Sequence, residues 1–426
     1  MNINTNIQSF SSQSGIKVTQ NGNSNQSIDK NKNSEAVNIN IDSKTLDTLN
    51  LLSSLEEETF IKSYNNFISD ERRAIRNRLE EVYSKATKEN KKFANPEQHI
   101  SDKYYSQASP YYIEGLSRIE RDVAHKHEMD YLKYGKLRNI SFIDPNIKDL
   151  NSMNDRVESA EKKAFNRDMV NEQFQQLLNK YGISIPKDSN LKFTIEPYDY
   201  KVTVSGLDDK NLSSLIEDVL NTGDNSEELF RHIQYSRPTY LGTSEQFSED
   251  KSMKYGIFHN VKELTGYDLR ELENVDGKFL TKDGTDVIEL LRIGVMNSKH
   301  ISEEYKGVAF DSYSADLSEV AKKGFENIED LNLSIDYKNG SFHDVGQSET
   351  YGVGKRDWIY ELKASKTQTL GEAFKEYRKD IVYDENSQDI IKEALNLKEF
   401  SFKGIKSEAD SLLEKYGSKD MELIKL

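Results

Sequence analysis

His125-Lys126-His127-Glu128 is where potential metal ligands crowd together in the sequence. A zinc-protease helix needs two histidines four apart, so that both imidazoles share one face, with a glutamate beside the first. Here the histidines are two apart, about 200° around a helix, and cannot chelate one ion together. The four residues read instead as charged positions on a solvated helix. Gly352-Val353-Gly354-Lys355-Arg356 approaches a phosphate-binding loop, but Glu349 stands where its first glycine belongs and Arg356 where Ser or Thr must follow the lysine. It reads as a glycine turn before the helix carrying Trp358. Asn274, Asp276, Gly277, Phe279 and Asp283 fit part of a calcium loop. Its first position would be Leu272, which has no side-chain oxygen, and its last would be Asp rather than Glu. Asn274, Asp276 and Asp283 are therefore the metal candidates, with a plain Asp-Gly turn as the alternative. No catalytic set emerges, because His232, His259, His300 and His343 are scattered and Gly-x-Ser-x-Gly is absent. No cofactor is indicated.

Several elements must position these groups. After Asp42 and Ser43, leucines recur from Leu46 to Leu55, and an apolar series continues through Phe60, Tyr64 and Phe67 to Ile75, Leu79 and Tyr83. Ser69 with Asp70 can re-cap it, giving two helices that meet near position 69. Arg72, Arg73, Arg76 and Arg78 face interspersed acids, as on a solvated helix face. Pro96 ends the segment. Further helices are expected over about 113–137 and 152–181, the latter closed by Gly182. Tyr104-Tyr105 and Tyr111-Tyr112 pack a helix–helix corner, with an interaction surface as the alternative.

Alternation over Leu191–Ile195 and Tyr200–Val204 predicts two strands joined by Glu196-Pro197-Tyr198-Asp199. With the helices that follow, residues 191–233 form a small hairpin–helix unit. Short helices are expected at Val261–Leu264 and Leu269–Leu272, a turn at Asp276-Gly277, helices near 283–296 and 314–327, and a hairpin from Leu333 through Asn339-Gly340. Helices from about Asp357 end near Tyr416.

The chain has 426 residues, no cysteine and a formal net charge of −15. Thiolate chemistry and Cys-type zinc sites are excluded. No apolar run reaches the ~18–20 residues of a membrane span, so no integral membrane segment is expected. The negative charge argues against nucleic acid as a partner. Residues 61–138 nevertheless carry 16 Lys+Arg against 12 Asp+Glu, a local +4. Residues 1–50 hold 11 Asn, 8 Ser, 4 Gln and one aromatic, too little apolar surface to offset backbone ordering. The expectation is a mostly helical α+β protein, with a disordered leader over 1–43, a long-helix region over 44–182 and a mixed α+β region over 183–426.

Met1-Asn2-Ile3-Asn4-Thr5-Asn6-Ile7 resembles the opening of bacterial flagellins and other proteins exported by the flagellar type III apparatus. The opening also lacks the basic and apolar regions of a Sec signal. The flagellin Arg-Leu-Ser-Ser-Gly stretch does not follow, and Met421–Leu426 differs from that family's leucine-rich helical end. Phe193–Gly206, with Ile216–Leu220 and Leu229–Ile233, resembles uncharacterised bacterial proteins that share a domain of unknown function; no site residues are implied. The leading expectation is a non-enzymatic bacterial protein, exported or tied to flagellar or cell-surface machinery, with an unidentified protein as partner. A secreted enzyme or toxin-like effector with its site in 183–426, and a cytoplasmic regulator or chaperone-like binder, stay open as alternatives.

Overall fold

The computed structural model describes residues 58–238 and 242–380. The leader over 1–43, the Leu46–Leu55 series and the helical end near Tyr416 lie outside the described residues. Helix α1 (Asp70–Asn90) starts where the Ser69 hydroxyl accepts the Arg72 N–H. Residues 58–68, read as helix in sequence, are not helical. Side chains of later helices take their backbone N–H groups, as when Phe60 and Ile61 both donate to Asn225 Oδ1. Pro96 opens rather than ends an element. It sits at the start of α2 (Pro96–Tyr105), where no amide hydrogen is needed, under an Asn95 cap.

Helix α3 (Arg118–Tyr134) carries a Ser117/Glu120 capping box and stops at Gly135 in the left-handed region. Helix α4 (Asp155–Lys180) precedes strands β1 (Leu191–Ile195) and β2 (Val202–Ser205), then α5 (Lys210–Leu220), α6 (Asn225–Tyr235) and α7 (Glu249–Thr265). The expected helix at Val261–Leu264 is the end of α7, continuous from its Ser248 cap; Leu269–Glu271 is a single 3-10 turn. Strands β3 (Glu273–Val275) and β4 (Lys278–Leu280) form a hairpin at Asp276-Gly277. There follow α8 (Val287–Asn297), α9 (Lys306–Lys323), β5 (Leu333–Lys338), β6 (Ser341–Asp344), α10 (Asp357–Lys366) and α11 (Leu370–Asp380). The β3–β4 and β5–β6 turns each place two residues at positive φ, Asp276 and Gly277 at 51° and 73°, Asn339 and Gly340 at 51° and 76°. These are the turns that match strand twist. The α+β class with mostly helical content stands as expected.

The described residues fall into two compact units, one from 58–65 and 166–353, the other from 66–165 and 354–380. The first holds an antiparallel sheet in the order β2-β1-β5-β6. The alternating residues Leu191, Phe193 and Ile195 point into a core with Val202, Leu333, Ile335 and Tyr337, covered by Phe174 and Leu178 of α4 and by apolar residues of α5 and α6. The β1–β2 hairpin is thus not free-standing, because β1 also pairs with β5. Helices α7, α8 and α9 gather a second core around Phe258, Leu291 and Leu317. The other unit packs Ile75, Leu79 and Tyr83 of α1 against Leu137, Ile147 and Leu370.

Candidate functional site

The His125–Glu128 stretch is not the solvated face its composition suggested. Helix α3 packs against both α1 and α2. Adjacent residues on a helix point about 100° apart, so His127 and Glu128 each face a neighbouring element and are buried. His127 Nδ1 donates to Asp144 Oδ2 at 2.7 Å, and its Nε2 accepts the Ser141 N–H at 3.1 Å. Asp144 also accepts from the Tyr83 hydroxyl and from the Asn146 N–H at 2.8 Å. Burial alone would push the Asp144 carboxyl up. The hydrogen bonds from His127, Tyr83 and Asn146 outweigh it and hold the group below the usual carboxylate range. Tyr83 is driven upward by burial and by Asp144. Glu128 accepts from Asn90, Lys103 and the Tyr104 hydroxyl. His125 lies apart, its Nε2 3.3 Å from Ser101 Oγ.

A second buried constellation lies in the other unit. Arg167, at 0% exposure, donates from Nε to His232 Nε2 at 2.8 Å and from Nη2 to Asp344 Oδ1 at 2.7 Å. Its Nη1 reaches the Phe342 carbonyl at 3.1 Å. Asn171, one turn along α4, accepts the Phe342 N–H at 2.8 Å. Together they occupy the N–H and the carbonyl of Phe342 on edge strand β6. Because His232 Nε2 accepts, its proton sits on Nδ1, which is buried and meets no partner at hydrogen-bond geometry. Burial and then the Arg167 charge drive His232 well below its ordinary value, while the Ser63 backbone acts the other way.

The metal candidates take other roles. Asn274 lies in β3 and donates to the Ala321 carbonyl at 2.7 Å. Asp276 occupies the hairpin turn, and Asp283 accepts the Thr281 and Thr285 hydroxyls in the turn after β4. Among the described residues no three His, Asp or Glu side chains gather into a metal-holding group. Gly354, at φ 77°, turns the chain into α10. Of the arginines, Arg72 pairs with Glu158, Arg73 with Asp70 and Arg78 with Asp149. Tyr104 is buried and donates to Glu128, while Tyr105, which donates to Asp122, and Tyr111 are exposed, so the packed corner holds for Tyr104. A shallow recess lined by Ser69, Glu71, Asn154, Glu158, Glu161 and Lys363 holds about 20 Å³, room for one water. Lys363 already pairs there with Glu71 at 2.9 Å and Glu161 at 2.6 Å.

The family described as a domain of unknown function (DUF4885) matches residues 18–363. The chain belongs to it. The likeness to an uncharacterised bacterial domain, read from Phe193–Ile233, thus extends over most of the DUF4885 chain. Uncharacterized protein YbdO of Bacillus subtilis (strain 168) is 39% identical over 307 residues, covering 72% of this chain and 76% of that protein. No solved structure matches. No helix among the described residues is long and apolar enough to cross a membrane.

Proposed function

We propose that this DUF4885 protein is non-enzymatic, acts through contacts with another protein, and works outside the cytoplasm by a flagellar-type export route or at the cell surface. The observation that carries the contact reading is a group of exposed apolar side chains on α8 and α9. Ile293 and Met296 lie one turn apart on α8, while Tyr305 and Val308 open α9; Val308 is 67% exposed. Lys306 Nζ donates to the Met296 carbonyl at 2.7 Å, which ties the two helix ends together. Exposed apolar side chains at helical spacing on a very polar chain support a contact reading. The titratable groups support the same side. His127, Glu128 and Asp144 are spent on internal hydrogen bonds, and His232 is likewise buried out of reach of substrate. The Asn/Ser/Gln-rich N-terminal residues and their flagellin-like opening support the export reading.

Supernatant proteomics of a wild-type strain beside a flagellar-export mutant tests the route. The protein is expected in the first supernatant and reduced at least tenfold in the second; equal amounts would sink it. A photo-crosslinker at Val308 is expected to capture one defined partner, and a crosslinker at Glu289 is not. Matching capture patterns at both positions would remove the contact reading.

A further inference from the structure

Residues 58–65 cross the first unit as an extended strap held in a groove between α4 and α6. Phe60 and Ile61 both donate their N–H to Asn225 Oδ1, at 2.7 and 3.0 Å. Lys62 donates to Gln173 Oε1 at 2.9 Å, Ser63 to Glu228 Oε2 at 2.7 Å, and Asn65 to Asn166 Oδ1 at 2.9 Å. Asn225 also donates to the Glu58 carbonyl at 2.9 Å and to the Thr222 carbonyl at 2.7 Å, so both ends of its buried amide are used. Two helices thus read main chain through side chains, which is how an extended peptide is gripped largely independently of its sequence. Side-chain selectivity is narrow. Ile61 is fully buried in the core, the Ser63 hydroxyl reaches Glu228 Oε2 at 2.7 Å, and Glu58 pairs with Lys180.

We propose that this groove is a receptor for extended backbone, and that it exchanges its own strap for residues 58–65 of a second copy of the chain. A second copy supplies every feature the groove selects: an acid opposite Lys180, an apolar anchor for the core and a hydroxyl for Glu228. The strap is also separated in sequence from the α4 side of its groove by all of residues 66–165, which belong to the other unit. Swapping an identical element conserves all contacts and loses only the association entropy, so concentration decides between the closed and exchanged forms. The inference draws on neither the export route nor the apolar cluster on α8 and α9.

The absence of native cysteine makes the test clean. Thr59 Oγ1 lies 3.5 Å from Asp224 Oδ2. Two full-length copies with different tags, one T59C and the other D224C, are mixed, incubated and oxidised. Exchange predicts an interchain disulfide whose yield rises with protein concentration and exceeds that of a Y360C/D224C pair. A yield no higher than that control overturns the proposal. Asn225→Ala in both copies is expected to speed formation of the product about tenfold, the equivalent of about 1.4 kcal/mol. If that variant does not fold, Ser63→Ala takes its place with a smaller acceleration in the same direction, and an unchanged rate counts against exchange. A labelled peptide of residues 58–65 that binds while no interchain product forms assigns the groove to a foreign segment and overturns self-exchange.

Discussion

Asp144 accepts from His127, Tyr83 and Asn146, so removing its carboxylate leaves several donors in a dry interior. Stranding buried donors costs more than the net worth of the bonds they made. Asp144→Ala is therefore expected to lose about 3–5 kcal/mol, read as a lowered urea midpoint at unchanged slope; a loss under 1 kcal/mol would show that water replaces the carboxylate. His232 gives a pH prediction. Its folded-state pKa is depressed, so below the ordinary histidine value near 6.5 the unfolded chain binds a proton that the folded chain refuses. The stability linked to His232 is intact above pH 6.5 and declines as pH falls below it, by up to about 1.4 kcal/mol per unit. His232→Gln keeps an acceptor for Arg167 and should flatten that decline between pH 6.5 and 5. Denaturation curves across that window check it, and a slope equal to wild type would assign the linkage to other histidines.

Helices and turns were legible where local chemistry decides them. Ser69 and Gly182 mark ends that the sequence showed, and Asp276-Gly277 and Asn339-Gly340 mark hairpins. The helix expected over 113–137 is shorter, Arg118–Tyr134, set by a Ser117 cap and by Gly135, ends that its apolar series does not mark. Less legible were polar residues on apolar stripes. Arg167 and Asn171 fall on the same face of α4 as Phe174 and Leu178, which was the available signal, but a sequence does not say that strand β6 needs their donors and acceptor. The other sheet edge is finished the same way. Asn221 accepts the Val202 N–H at 3.0 Å, and Glu217 accepts the Val204 N–H at 2.7 Å. Unmade, these bonds leave a strand edge able to recruit another chain. Asn221→Ala should cost about 1–2 kcal/mol and raise light scattering on mild heating; unchanged scattering would show that the edge is guarded by other means. Where α7 and α8 cross, a Cβ on Gly294 would meet the Leu264 carbonyl oxygen at 2.4 Å. Alanine gains about 1 kcal/mol of helix propensity, but the overlap is with backbone and outweighs it. Gly294→Ala is expected to be destabilising by about 1–3 kcal/mol in urea.

Charge and chain order govern the largest features. With a net charge of −15, the protein should not bind duplex DNA at 50 mM salt, where phosphate contacts are strongest. A shifted band in a gel assay at that salt would overturn this expectation. The +4 of residues 61–138 is not cancelled by its ion pairs: Arg72 and Arg78 pair with the outside acids Glu158 and Asp149, while Glu120 and Glu71 pair with the outside lysines Lys148 and Lys363. The division into units was beyond a single sequence. The first unit takes residues 58–65 and then nothing more until Asn166, and composition does not report such an interruption.

The pairing of β1 with β5 sets a timetable for synthesis. Thr194 and Ser334 face each other across that pair, yet they are 140 positions apart. At about 5–20 residues per second, the ribosome delivers the second strand roughly 7–28 s after the first. During that interval β1 has only β2 beside it, and the central sheet waits for its other half. A nascent chain kept open for that long offers chaperones a window that closes once Asp344 emerges.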